Sequence, residues 1–93
     1  MNDRLLPWTG SEGKPCYLVG DGTGYVSRVA DQVESVQLGM ADGLLEHTAE
    51  LLDGQHQTLT SEELHYLVRR LTESLTEVKR VAESRGARLG RAN

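Results

Sequence analysis

The residues with the clearest potential for chemistry lie in one glycine-rich loop. Residues 16–28 read CYLVGDGTGYVSR, an apolar run followed by three glycines within five residues. A strand, a glycine loop and a helix in this order can hold a phosphate, because backbone N–H groups then approach the anion closely. The candidate ligand loop consists of Gly20, Asp21, Gly22, Thr23 and Gly24.

The details of this loop argue against a nucleotide site. It lacks the third glycine of G-x-G-x-x-G and the Gly-Lys-Ser/Thr of a P-loop, and Asp21 adds a negative charge. A dinucleotide fold also needs a parallel sheet of several strands, and 93 residues leave no room for one. We expect the loop to turn the chain and predict no cofactor. Small-ligand or nucleotide binding by residues 20–24 is the alternative function.

Histidine and cysteine are the other residue types that could carry catalysis or hold a metal. His47, His56 and His65 fall near the expected turn between two helices, and His65 completes a Glu-x-x-His pattern. On a helical wheel of about 100° per residue, His65 points away from its helix's apolar seam. His47 lies in an apolar stripe, which fits a ligand or pH-sensitive group, or a hydrogen-bonded core histidine. We expect the core histidine.

Cys16 is the single cysteine of the chain, so no intramolecular disulfide can form. Its apolar neighbours favour a small buried hydrophobe over a reactive thiol. The sequence shows no serine–histidine–acid set, no paired catalytic carboxylates and no Cys/His metal spacing. We therefore predict that the protein is not an enzyme and holds no metal.

Two long amphipathic helices, over residues 28–53 and 60–85, must position these groups. The first carries an apolar stripe spaced by three and four residues, at Val29, Val33, Val36, Met40 and Leu44. The second begins at a capping box, Thr60 and Glu63. Its apolar seam is heptad-like, at residues 64, 68, 71, 75, 78 and 82. Gly86 should end it, leaving residues 87–93 as a frayed basic tail.

The N-terminal third is turn-rich and polar. Residues 1–14 predict a flexible arm, and residues 15–27 predict a β-hairpin in which CYLV and YVS flank the GDGTG loop. Ser27 would then cap the first helix. The other possibility is that the helix begins at once near Thr23. We prefer the hairpin, within a single domain over residues 15–86.

A second apolar arc on the first helix predicts self-association. Leu38, Ala41, Leu45 and Leu52 lie apart from the main stripe, so this helix should pack against more than one neighbour. Gly39 and Gly43 flank the stripe, where they either let another backbone approach closely or mark a kink. The predicted fold is mostly α, a long antiparallel two-helix hairpin preceded by a short β-hairpin, dimerising into a four-helix bundle.

Charge is unevenly distributed along the chain, whose net charge is −4. Residues 31–63 carry eight acids and no Lys or Arg, whereas residues 64–93 carry seven bases and three acids. The acidic helix should lie along the basic one, which makes nucleic-acid binding the weaker reading of the arginines. No signal peptide and no apolar stretch of membrane-spanning length appears, so we expect a soluble cytoplasmic protein.

The runs GKPCYLVGDGTGYVSRVADQVESVQLGMADGLLEH and RVAESRGARL resemble small uncharacterised cytoplasmic proteins of high-GC actinobacteria. Eight Arg against two Lys fit such a source. The resemblance implies no activity, cofactor or site residue. The residues themselves predict a non-catalytic, dimeric interaction or regulatory module. Its partners would be itself and another protein, bound through the acidic helix face or the N-terminal hairpin.

Overall fold

The computed structural model of the protein describes residues 3–20, 22–54 and 58–92. The chain forms strand β1 (Asp3–Thr9), a short 3-10 turn (Ser11–Gly13), strand β2 (Pro15–Val19), helix α1 (Tyr25–Asp53) and helix α2 (Ser61–Ala92). β1 and β2 pair antiparallel. The predicted architecture, a β-hairpin followed by two long helices in a mostly helical fold, is confirmed.

The hairpin itself uses different residues from those predicted. Residues 3–9, expected to belong to a flexible arm, form β1, which pairs from Asp3 opposite Val19 to Thr9 opposite Pro15. Their apolar side chains explain this, because Leu6 is buried as part of the core. The register shifts between Leu5 and Thr9, where Pro7 has no N–H for the ladder.

Residues 25–27 are helical, so the prediction of a second strand there is wrong. β2 already has its partner in β1, and Tyr25 begins the first turn of α1 after the extended N-cap residue Gly24. The Arg28 N–H donates to the Gly24 carbonyl over 3.1 Å. Ser27 does not cap the helix, because it lies in the first turn, after the N-cap residue Gly24. It is buried, and its hydroxyl accepts a hydrogen bond from Arg4.

The start of α2 confirms the capping box. The Thr60 N–H donates to Glu63 Oε1 at 3.0 Å, and the Glu63 N–H donates to Thr60 Oγ1 at 3.1 Å. The end of α2 is not where we predicted it, because the helix continues through Gly86 to Ala92. A mid-helix glycine costs about 1 kcal/mol. Contacts of the neighbouring Ser84, described below, hold this segment against the rest of the fold and offset that cost.

The two helices run antiparallel. Arg4 of β1 contacts Ser27 near the start of α1, and Leu5 of β1 contacts Ser84 near the end of α2, so both helix ends lie at the strand. The link between the helices lies at the opposite end, the tip. The buried apolar residues Leu6, Ala30 and Val81 bring β1, α1 and α2 together at what we call the closed end. Neither helix, within the described residues, is long and apolar enough to cross a membrane.

Candidate interaction surface

A buried arginine organises the closed end. Arg4 Nη1 donates to the Ser27 carbonyl at 3.1 Å and to Ser27 Oγ at 2.8 Å. Its Nη2 donates to Asp31 Oδ1 at 2.7 Å and to Glu34 Oε2 at 3.2 Å. The planar guanidinium can serve several acceptors at once, since its donors form a fixed fork. One side chain of β1 therefore fixes the position of the first three turns of α1.

Glu34 is the acidic centre of this network. Its side chain is 1% exposed, and its other oxygen, Oε1, lies 3.4 Å from Arg85 Nε and 3.7 Å from Arg88 Nη2. Arginines from β1 and α2 thus converge on one carboxylate of α1. Removing one partner of a buried ion pair typically costs about 3–5 kcal/mol, because the remaining charge is left uncompensated.

Neutral polar groups complete the connections between the three elements. Ser84 Oγ donates to the Leu5 carbonyl at 2.8 Å, and Arg88 Nη1 donates to Ser84 Oγ at 2.8 Å. Gln37 Nε2 donates to the Pro7 carbonyl at 2.9 Å. Sequence reasoning missed this network. The available signal was the place of Glu34 within the second apolar arc of its helix, at about 140° from Val29 on the wheel, with Gln37 beside that arc at about 80°.

The predicted pairing of the basic helix with the acidic one is confirmed at Glu34, through Arg85 and Arg88. Other basic residues pair within α2 instead. Arg70 Nη1 lies 2.8 Å from Glu73, and Lys79 lies 3.7 Å from Glu83. Exposed pairs of this kind contribute little, typically under about 1 kcal/mol.

The side of α1 that faces the rest of the chain is not the predicted apolar stripe. Ala30, Glu34 and Gln37 are buried, whereas Val36 and Met40 of the stripe are exposed. On a wheel with Val29 at zero, these buried residues lie at about 80–140°, so they overlap the second apolar arc at about 120–180°. Because Arg4 and Pro7 bind polar groups in this sector, α1 turns toward β1 a mixed sector that includes the second arc.

The apolar seam of α2 also faces away from the expected direction. We predicted that it would pack on the first helix, but Leu64, Val68 and Leu75 are exposed, and the Leu75 exposure reaches 69%. Among the side chains of α2 that the structure describes, the buried ones are Ser74, Val81 and Ser84. Ser84 lies about 160° from Leu64 on the wheel. Its bond to the Leu5 carbonyl fixes the rotation of the helix and turns the seam outward.

The predicted dimer residues of α1 fall on two sides of the helix. Leu45 and Leu52 are exposed, at 64% and 84%, and Leu38 and Ala41 are half-buried on the same arc. Gly39 and Gly43 lie on the opposite side, about 140° away. α1 continues through both glycines. A Cβ added at either would meet no atom within 4 Å, so the chain's own fold does not need glycine there.

A groove of about 620 Å³ separates the helices near the tip. His47 lines it and is exposed, so the prediction of a core histidine is wrong. His65 and Glu62 are exposed, as expected, whereas His56 lies outside the described residues. Apolar and charged side chains share the lining: Leu44, His47, Leu51, Leu59, Glu62, Glu63, Tyr66, Leu67 and Arg70.

The exposed leucines of both helices lie on one side of the hairpin. Leu44 and Leu51 of α1 and Glu63 and Leu67 of α2 line the groove. The residue that follows each of these four is rotated by about 100° about its helix axis. Because the two helices run antiparallel, this rotation points the following side chains of α1 and of α2 toward the same side of the hairpin. The residues that follow are all exposed: Leu45, Leu52, Leu64 and Val68.

Leu75 continues this surface along α2, seven residues beyond Val68. We name the surface formed by Leu45, Leu52, Leu64, Val68 and Leu75 the open face. The heptad spacing of the α2 seam is typical of helices that pack against another chain. That spacing was the available signal, and it was assigned to packing within the chain.

The area of the chain agrees with an unpartnered face. Its accessible surface is 7052 Å², whereas a folded monomer of 10.3 kDa exposes about 5,400 Å². One subunit of an obligate dimer buries about 1,000–2,500 Å². The chain therefore exposes about 1,700 Å² more than this expectation.

The glycine loop has the geometry of a turn. Gly20 and Gly22 have φ values of 155° and 84°, which side chains rarely adopt. Arg28 Nη1 donates to the Thr23 carbonyl at 3.2 Å, which ties α1 to the loop. Thr23 and Gly24 are exposed, and Asp21 lies outside the described residues. These residues connect β2 to α1. Ligand binding by this loop stays a prediction.

Comparisons of the chain with protein-family models, with curated proteins and with solved structures give no match.

Proposed function

We propose that this protein is a non-catalytic homodimer that acts as an interaction or regulatory module, with the open face as its self-association surface. The observation that carries this proposal is the contrast between the open face and the core. Five large aliphatic side chains lie exposed on one side, while the buried apolar core of the described residues consists of Leu6, Ala30 and Val81. Large exposed apolar patches mark interaction sites in soluble proteins.

A second copy is the occupant that fits this face. Two helices presenting one apolar side can pack on the same side of another hairpin, which gives a four-helix bundle. The seam of α2 supplies the regular spacing that such packing needs, and the area excess supplies the size. Homodimers use the same patch on both subunits, so one chain can provide the whole interface.

Other exposed apolar side chains remain for a partner protein after dimerisation. Val36 and Met40 lie on the opposite side of α1 from Leu45 and Leu52, and Tyr17 and Tyr25 are exposed near the β-hairpin. A regulatory protein of this kind would present these surfaces in two symmetric copies. The dimer would then bind its partner with two sites, which raises the overall affinity when both sites engage.

The test is the mass of the protein in solution, measured by sedimentation equilibrium between about 1 and 100 μM. We expect a dimer for the natural sequence. Leu75→Glu places a charge in the open face and should give a monomer. Tyr66→Glu is the matched control, because Tyr66 lies on the other side of α2 and is 65% exposed against 69% for Leu75. It should stay dimeric.

Two results would overturn the proposal. One is a monomer of the natural sequence across the whole concentration range. The other is a Leu75→Glu protein that remains as dimeric as Tyr66→Glu, since the dimer would then use another surface. Circular dichroism of each variant shows that the helices have formed, so that loss of the dimer is not confused with loss of the fold.

A further inference from the structure

We propose that the two chains of this dimer pack with α1 of one subunit against α2 of the other, so that both tips lie at the same end. This inference rests on the proposed function, because it assigns the arrangement of the homodimer. It follows from the charges that border the open face.

Two symmetric arrangements can bring two open faces together. If the two-fold axis runs along the hairpin, α1 faces α2 of the partner and the tips coincide. If the axis runs across the hairpin, α1 faces α1, α2 faces α2, and the tips lie at opposite ends. Both are closed dimers in which the same patch is used twice, so symmetry alone does not choose between them.

The α1 border of the open face is acidic. Asp42, Glu46 and Asp53 are exposed, and they lie about 60–100° beyond the Leu45–Leu52 arc, on the side away from α2. No Lys or Arg occurs in α1 after Arg28. This border therefore carries only negative charge along the half of α1 nearest the tip.

The α2 border carries a net positive charge, with two bases and one acid. Arg69 and Lys79 lie on the side of the seam away from α1, about 60–140° from Leu64 on the wheel, and both are exposed. Glu83, which also lies on this border, pairs with Lys79 at 3.7 Å. Arg69 Nη2 lies 3.3 Å from His65 Nε2, one turn earlier on α2. Its charge is available to an acidic group.

The charges select the arrangement with coincident tips. There, the acidic border of each α1 lies along the basic border of the partner's α2, at both edges of the interface. The crossed arrangement would place acid along acid and base along base, which opposes association. The heights also agree, because Glu46 and Arg69 lie about 10–12 Å along their helices from the link, at 1.5 Å per residue.

A distance measurement between the subunits tests this arrangement directly. Ser61 is exposed at the first turn of α2, next to the tip. Ser61→Cys in a Cys16→Ser background gives one labelling site per chain, and electron–electron resonance gives the distance between two spin labels. With coincident tips we expect about 20–30 Å, since packed helices lie 8–10 Å apart. The crossed arrangement predicts a separation approaching the 54 Å length of the chain.

A charge exchange provides the second measurement. Arg69→Glu should weaken dimerisation by about tenfold, because it faces the acidic border of the partner. Adding Glu46→Lys in the same chain should restore it, since each edge then carries the reversed pair. A double variant weaker than Arg69→Glu, or a label distance near the length of the chain, overturns the arrangement while leaving the dimer intact. A monomeric protein overturns the proposed function itself, so the two failures are distinguishable.

Discussion

The closed end and the tip half of the hairpin are built on opposite principles. At the closed end, β1, α1 and α2 meet around the buried polar groups of Arg4, Glu34 and Ser84. Toward the tip, the helices border an open groove, and the side chains left exposed include Leu45, Leu52 and Leu75. The closed end therefore buries polar as well as apolar groups, whereas large apolar side chains stay exposed toward the tip.

This difference shows how the polar contacts set the direction of the apolar surface. Apolar contacts have no preferred direction, so on their own they would favour a rotation of α2 that buries its seam against α1. The hydrogen bonds of Ser84 to Leu5 and of Arg85 to Glu34 are directional, and they fix α2 in another rotation. We infer that the closed end determines the orientation of the open face, and that association supplies the missing apolar burial.

The largest expected effect comes from removing the centre of the closed end. Glu34→Ala leaves Arg4 buried without the more enclosed of its two carboxylate partners, because Glu34 is 1% exposed and Asp31 is 65% exposed. We expect the free energy of unfolding to fall by about 3–5 kcal/mol, as for other broken buried ion pairs. Urea unfolding followed by circular dichroism measures the change. Ser35→Ala is the control, since Ser35 is the exposed neighbour on the same helix.

The same two variants can contradict the role assigned to the polar network. If Glu34→Ala costs no more than Ser35→Ala, the network does not hold the closed end together. Arg4→Met is a third variant, which removes the cation of the Arg4–Glu34 ion pair. If the double variant Arg4→Met with Glu34→Ala is more stable than Glu34→Ala alone, the loss came from an unpaired charge.

A smaller loss of stability distinguishes the two regions by its dependence on protein concentration. Leu6→Ala truncates a buried side chain at the closed end and should cost about 2–5 kcal/mol. Leu75→Ala truncates an exposed side chain of the open face. Its cost should be small in the monomer and should appear only at concentrations where the natural protein is dimeric.

Thermal unfolding of both variants at several protein concentrations measures this difference. The offset between Leu6→Ala and the natural protein should be present at the lowest concentration, at which the chains are monomeric. The offset for Leu75→Ala should grow as the concentration rises. A Leu75→Ala offset that is independent of concentration would mean that the open face contributes to the single chain and not to its assembly.

The regions also differ in how far the sequence predicts them. The two helices, the capping box and the exposed position of Leu45 and Leu52 follow from local spacing, because periodicity and capping involve residues a few positions apart. The strand at residues 3–9 depends on a segment that is far away in the sequence. Arg4 reaches Glu34 across 30 positions, and no local pattern encodes such a contact.

The rotation of α2 shows the same limit at the candidate site. The seam was recognised from its spacing, but an apolar seam does not say whether its partner is in the same chain or another one. That choice is made by Ser84 and Arg88, which bind β1 and α1 from the other side of the helix. Gly86 was expected to end the helix and Arg88 to lie in the frayed basic tail, so these contacts were not predicted.

The smallest predicted effect concerns the start of α2, next to the tip. The Thr60 N–H donates to the Glu63 carboxylate, and this bond, together with one from the Thr60 hydroxyl, lowers the pKa of Glu63 below its usual 4.5. The ionised carboxylate is thus favoured in the folded chain. The stabilisation is fully present above pH 4.5 and is lost as the pH falls through the lowered pKa of the folded state.

Three variants test this cap in a way that separates its two bonds. Glu63→Gln keeps a side-chain acceptor at every pH, so the Thr60 amide proton signal should lose its titration in nuclear magnetic resonance spectra. Thr60→Ala removes the hydroxyl that accepts the Glu63 N–H, and should cost about 1 kcal/mol at neutral pH. Thr58→Ala is the control, because Thr58 is exposed just before the helix. A Thr60 amide titration in the natural protein with a midpoint at or above pH 4.5 would contradict the cap, since the carboxylate would then gain nothing from the helix start.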